Sequence, residues 1–290
     1  MKIGSFIPSA GKIDAVKHFR PAQSLLVVFK SDSVIGVLDF KSNTTKINVN
    51  LQNSKTGSLS ALIPYISVTR LSEISTFNEG SVLVETQSYI SPVMLHPTEN
   101  ISLDNDKYLE FSFIDIPGWV SSVDLYTYEM GTTTDFVTKY NKMSCPAGSA
   151  RVVFNTVDND LLALPLTGFD SVRLTYKNGL VADMSAVELK YYMAQNNDLS
   201  AYQSSADGIN VKGFLVERSF ASFAELNTAL SSGSVLIQGT AQTYQSLCSS
   251  FIFNLVDVVS IEIIRDTNSV NSLEFILGDF VPSTVAAQTK

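Results

Sequence analysis

Short runs of alternating polar and apolar residues, each closed by a turn, fill most of this chain. Lys46-Ile47-Asn48-Val49-Asn50-Leu51 alternates strictly, and Lys107 to Ile114, Ser122 to Tyr128 and Val172 to Tyr176 alternate along much of their length. Period two is the mark of a strand with one buried face. Leu25 to Phe29 and Val34 to Phe40 are compact apolar runs, and Ala150 to Phe154, Phe251 to Leu255, Ser260 to Ile264 and Leu273 to Leu277 also read as strands. Asn178-Gly179 between two such runs is a strong hairpin signal. Helix is scarce. Ser185 with Glu188 three residues on has capping-box spacing and opens a helix toward Asn196. Phe220 to Leu230 reads as a second short helix, with Val68 to Phe77 as its counterpart in the first half. Many short strands with frequent turns argue for an all-β chain of sandwiches with one or two short helices.

Two stretches half a chain apart share their order of residue types. Leu71-Ser72-Glu73-Ile74-Ser75-Thr76-Phe77-Asn78-Glu79-Gly80-Ser81-Val82-Leu83-Val84 is echoed by Phe223 to Ile237, with Gly80 and Gly233 separated by 153 residues. That offset is too long for a solenoid repeat. In a chain of 290 residues it fits two similar domains in tandem. Gly131-Thr132-Thr133-Thr134 and Cys145-Pro146-Ala147-Gly148-Ser149 mark the connection. The expected division is an arm over 1–20, a first domain over 21–131, a linker over 132–150, a second domain over 151–280 and a tail over 281–290.

Charged residues make up only 17% of the chain, and Ser, Thr and Asn stand in their place. A weakly charged polar surface is cheap to desolvate and suits a protein packed against neighbours. The net charge is −8, and Lys12, Lys17, His18 and Arg20 are the nearest approach to a basic cluster. Phosphate-backbone binding needs a basic stripe, so specific nucleic-acid binding is not expected. The start of the chain lacks the apolar core of a signal peptide, and no apolar run is long enough for a helical membrane span. Synthesis in a cytoplasm follows as the expectation, with Cys145 and Cys248 as free thiols.

Chemistry-bearing patterns are sparse. His18 and His96 are the only histidines, and neither sits in a nucleophile or metal motif. Asp104-Asn105-Asp106 and Asp158-Asn159-Asp160 resemble fragments of oxygen-rich calcium loops. They lack the spaced glycine and distal carboxylate of such loops and read as turns. No catalytic, cofactor-binding or metal residues are assigned. Trp119, after Ile116-Pro117-Gly118, is either a core plug or, with Tyr126 and Tyr128, an aromatic binding platform.

The strand over Phe169 to Gly179, the helix from Ser185 and the next strand, Val211 to Val216, form a succession with a wider resemblance. Together with tandem β-sandwich halves, it resembles the double jelly-roll major capsid proteins of membrane-containing icosahedral bacteriophages, the corticovirus type in particular. That resemblance implies two tandem jelly rolls and a non-enzymatic structural protein of a virion. It implies homotrimers whose six jelly rolls make a pseudo-hexagonal capsomer, with neighbouring capsomers, minor capsid proteins and an internal lipid membrane as partners. No cofactor is implied. Two other classes compete: a receptor- or glycan-binding β-sandwich such as a virion spike or adhesin, using Trp119, Tyr126 and Tyr128, and a β-sandwich enzyme using paired carboxylates.

Overall fold

The computed structural model describes residues 1–33, 43–79, 84–85, 88–96, 99–103, 106–129, 131–155, 159–165, 168–186, 188–189, 201–205, 208–213, 216–220, 234–237, 240–243, 251–265 and 270–283. The chain divides into two compact units, Met1–Asn141 with Asp279–Lys290, and Lys142–Gly278.

In the first unit, one sheet orders β1 (Lys2–Phe6), β10 (Ser122–Tyr128), β3 (Ser24–Lys30), β7 (Ser88–Met94) and β6 (Val84–Glu85). The second sheet orders β2 (Ile13–His18), β9 (Lys107–Ile114), β4 (Lys46–Asn53) and β5 (Leu59–Ser67). A two-stranded parallel pair, β8 (Asn100–Ile101) with β11 (Thr133–Thr134), completes the unit. Alternation does what the sequence promised. Ile47, Val49 and Leu51 of β4 and Leu109, Phe111 and Phe113 of β9 are fully buried, while their sequence neighbours are not. Each sheet therefore has an apolar face that needs a cover, and Leu25, Val27, Phe29, Val123 and Leu125 of the other sheet are buried equally. Each such side chain contributes roughly 1.5–3 kcal/mol on burial.

Unit two repeats the plan. One sheet orders β12 (Phe136–Cys145), β24 (Leu273–Pro282), β14 (Leu161–Leu164) and β22 (Phe251–Asn254); the other orders β13 (Arg151–Asn155), β23 (Val258–Ile264), β15 (Ser171–Tyr176) and β16 (Val181–Ser185). Phe154 stacks on Phe275 at 5.2 Å and Phe169 meets Phe251 edge-on at 5.9 Å, which joins the two sheets across one core. Between β16 and β22 lie a three-stranded sheet, β17 (Ala201–Ser205), β18 (Gly208–Gly213) and β19 (Val216–Phe220), and the hairpin of β20 (Ser234–Ile237) with β21 (Thr240–Thr243).

Numbered by position, the eight main strands of the first unit are β1, β2, β3, β4, β5, β7, β9 and β10. Those of the second are β12 to β16 and β22 to β24. In both units one sheet runs first-eighth-third-sixth and the other second-seventh-fourth-fifth. That strand order is the jelly roll, so the chain is all-β and carries two jelly-roll sandwiches in tandem.

The two units also share their fastenings. The turn after each fourth strand is clasped to the residue before the seventh. Ser54 donates its backbone N–H to Asp106 O at 2.6 Å and Lys55 Nζ pairs with Asp106 at 2.7 Å; Lys177 donates to Asp257 O at 2.8 Å and pairs with its carboxylate at 3.2 Å. The turn between the first two strands contains an Ala-Gly pair in each unit, with Gly11 and Gly148 at φ +72° and +75°. A Cβ on Gly11 would meet Ile116 O at 3.2 Å, and Ile116 N–H donates to Gly11 O at 3.0 Å, so that turn needs glycine for both reasons.

The stretch 1–20 contains β1 and β2, both hydrogen-bonded into the first unit. The stretch 132–150 holds β11 and the ten-residue β12; turn formers at its two ends obscured the Phe136-to-Cys145 strand between them. Val68–Glu79 is a helix, α1, with Val68, Leu71, Ser72 and Ile74 buried. The Ser185–Glu188 capping box is formed: Ser185 N–H donates to the Glu188 carboxylate at 2.8 Å and Glu188 N–H returns to Ser185 Oγ at 3.1 Å. Phe220, the expected start of a second helix, ends β19 instead, while 190–196, 34–40, 221–230 and Cys248 lie outside the described residues. The first repeat copy spans α1 and reaches β6, while Ser234 to Ile237 of the second copy is β20. Both copies fall between the fifth and sixth strands of their units.

Candidate functional site

The two histidines are both buried. His18, on β2, is 4% exposed, its Nε2 has no hydrogen-bond partner, and its ring lies 6.4 Å from Phe111. Burial lowers its pKa against the opposing pull of Glu129. His96 is buried, accepts the Glu99 N–H on Nδ1 at 3.1 Å and meets the edge of Phe280. Burial lowers its pKa as well. Cys145 is a buried free thiol at the end of β12. Asp106 is engaged in the Lys55 clasp, and Asp160 is tied by backbone bonds to Gly278 and Leu255; Asp104 and Asp158 lie outside the described residues. Among the described residues, no group of three or more His, Cys, Asp or Glu side chains converges as a metal site would require.

The aromatic platform is not assembled. Trp119 is half-buried in the connection before β10, whereas Tyr128 is exposed at the other end of that strand, about 20 Å away by strand rise. Tyr126, between them, donates its hydroxyl to Asp124 at 3.4 Å and lies under Lys2 Nζ at 5.6 Å. Its ring belongs to an ion cluster.

That cluster was missed in the sequence, because its members are far apart along the chain. Asp124 on β10 is 1% exposed and sits between Lys2 of β1 at 3.1 Å and Lys30 of β3 at 2.7 Å, with Ser5 Oγ donating to its other oxygen. Burial pushes its pKa up, but the bonds from Lys30, Ser5 and Lys2 outweigh that and hold the carboxyl far below the usual range. In the second unit a ladder crosses all four strands of one sheet: Arg151 pairs with Glu262, Glu262 lies 3.7 Å from Arg173, and Arg173 is 2.7 Å from Asp183. Two cations and two carboxylates cancel within that face. Arg265 is a third surprise. Its guanidinium is buried and donates to four carbonyls, Gly168 at 2.7 Å, Cys145 at 3.3 Å, Pro146 at 3.1 Å and Asn271 at 2.6 Å. It ties together the three turns that follow the first, third and seventh strands. These clusters neutralise and fasten; none presents a nucleophile beside a base.

The chain is thus a two-module jelly-roll protein. No protein-family model matches it, and no curated protein matches it in sequence. Among solved structures it is similar to the major capsid protein P2 from Bacteriophage PM2, at 12% identity and TM-score 0.49, over 96% of this chain and 95% of that one. It is also similar to PBCV-1 VP54, a structure fitted into a reconstruction of the virophage Sputnik, at 8% identity and TM-score 0.44, over 97% and 92%. The mavirus major capsid protein follows at 8% and 0.30, over 97% and 86%.

Proposed function

We propose that this chain is a shell protein of a virion, a major capsid protein in which three copies form a capsomer. The observation that carries the reading is the repeated strand order: one chain holds two jelly rolls with equivalent sheets and equivalent turn clasps. A ring of three such chains contains six similar modules, and closed cyclic symmetry is the common solution for self-assembling proteins. The charge pattern supports packing against neighbours. The Arg151–Glu262–Arg173–Asp183 ladder balances two cations with two carboxylates within its own sheet, so covering it strands no net charge. In this reading the role is structural rather than catalytic. Its partners are further capsomers, minor shell proteins and a lipid layer beneath the shell, after synthesis in the host cytoplasm.

Light scattering behind size exclusion tests it. The chain is 31.6 kDa, and a trimer appears at about 95 kDa, three times that mass. A stable trimer that tiles into shells or sheets under the electron microscope is the expected result. A monomer at every concentration overturns the reading.

A further inference from the structure

Strand β1 differs in kind from its counterpart in the second unit. Both are the first strand of a jelly roll and both sit beside the eighth. β12 is ten residues long and places Val137, Tyr140 and Cys145 in full burial. β1 is five residues long, and none of Lys2, Ile3, Gly4, Ser5 or Phe6 is buried. It is an edge strand with a register irregularity between Lys2 and Gly4, and its side-chain anchors are ionic: Lys2 and Ser5 on Asp124.

What β1 covers is as telling as what it lacks. Detaching it uncovers the Asp124 carboxylate, which hydrates readily and keeps Lys30 at 2.7 Å, beside the backbone edge of Val123 and Leu125. The segment after it starts with Ile7, which is 82% exposed, and Pro8, before the Ser9–Lys12 bridge fixes the chain again. Ile7 and Pro8 therefore form a short link between a weakly held strand and a firmly held turn. The edge that β1 leaves is matched to it, pairing Lys2 with Tyr126 and Ser5 with Asp124. The segment that reproduces all of those contacts is β1 of another copy.

We propose that β1 is an exchangeable strand that, in the assembled protein, pairs with β10 of a second copy of this chain. The proposal rests on the self-assembly proposed above, and supplies it with a tie that repeats every native contact of the strand. The occupant is the identical segment, because the anchor requires an ammonium and a hydroxyl at the spacing of Lys2 and Ser5.

The test uses chains of two kinds, Phe6→Cys and Val123→Cys, a register pair that leaves Lys2 and Ser5 in place, each also carrying Cys145→Ala and Cys248→Ala, produced together and oxidised after assembly. Exchange predicts a disulfide-linked species of roughly twice the 31.6 kDa chain in the mixture, and none in either variant alone. A chain carrying both new cysteines that closes only on itself, with no linked pair in the mixture, overturns the proposal. Light scattering on the same samples reads assembly separately. Full assembly without cross-chain links sinks the exchange and spares the shell reading, while a monomer sinks both. If a cysteine variant fails to fold by circular dichroism, deletion of residues 1–7 puts the same question. Exchange predicts a folded chain at least tenfold weaker in self-association, and unchanged association overturns it.

Discussion

At the residue scale, the side chains that matter most are buried polar ones whose partners are distant in sequence. Arg265 has no carboxylate among its bonds and relies on four backbone carbonyls. Arg265→Met removes all four of those donated bonds, and chemical denaturation should show a loss of about 3–5 kcal/mol, the range for breaking a buried charged network. Tyr140 is the converse case. Its hydroxyl is buried without a partner, and burial raises its pKa. Tyr140→Phe removes an unpaid desolvation penalty, so it should be neutral or stabilising by about 1 kcal/mol in the same assay. Asp124 sets an acid limit. Its folded pKa lies below its ordinary 3.8, so its contribution is fully present above that value and is lost as pH falls below it. His18 and His96 act earlier. Their folded pKa values are lowered from 6.5, so the unfolded state takes up protons first and stability declines as pH drops below about 6.5. Thermal melts from pH 8 to pH 5 should show that decline, and His18→Gln should flatten part of it. A wild-type melting temperature constant across that range would contradict the assignment.

The elements of the two units follow local rules and pass them on to the sheet. Where one strand face meets the core, alternation is strict, and β4, β9 and β15 were legible from sequence for that reason. β3 and β14 were harder to place, because Leu25 to Phe29 and Leu161 to Leu164 are apolar runs without alternation. β12 was hidden by the turn formers at its ends, and β5 by Pro64 and a positive φ at Tyr65. The Asn178-Gly179 hairpin and the Ser185–Glu188 capping box formed as their chemistry dictates. Core positions on these elements carry the stability. Phe111→Ala on β9 should cost about 3–5 kcal/mol in denaturant unfolding, since its side chain is fully enclosed. Lys177→Ala, which breaks an exposed clasp, should cost under about 1 kcal/mol in the same measurement.

For the whole molecule, the repeat visible in sequence has a topological meaning. Both copies occupy the connection between the fifth and sixth strands, where the two units differ most in length: 68–87 in the first, 186–250 in the second. Insertion there leaves the sandwich intact, because a long excursion costs only slowly growing loop entropy. The low charge of the surface, net −8 over 290 residues, was also plain from composition. By itself the sequence determined the β class, the two-part organisation, the hairpin and capping chemistry, and the weakness of any catalytic motif. All of these depend on neighbours within a few residues or on bulk composition. Only the tertiary structure decided the jelly-roll order, the matched clasps, the Asp124 and Arg265 clusters, and the light hold on β1. Those depend on residues as far as 126 and 132 positions apart meeting across strands. Pairing at that distance is chosen by the cooperative closure of two sheets over one core, and period-two alternation says which face is buried without naming the strand beside it.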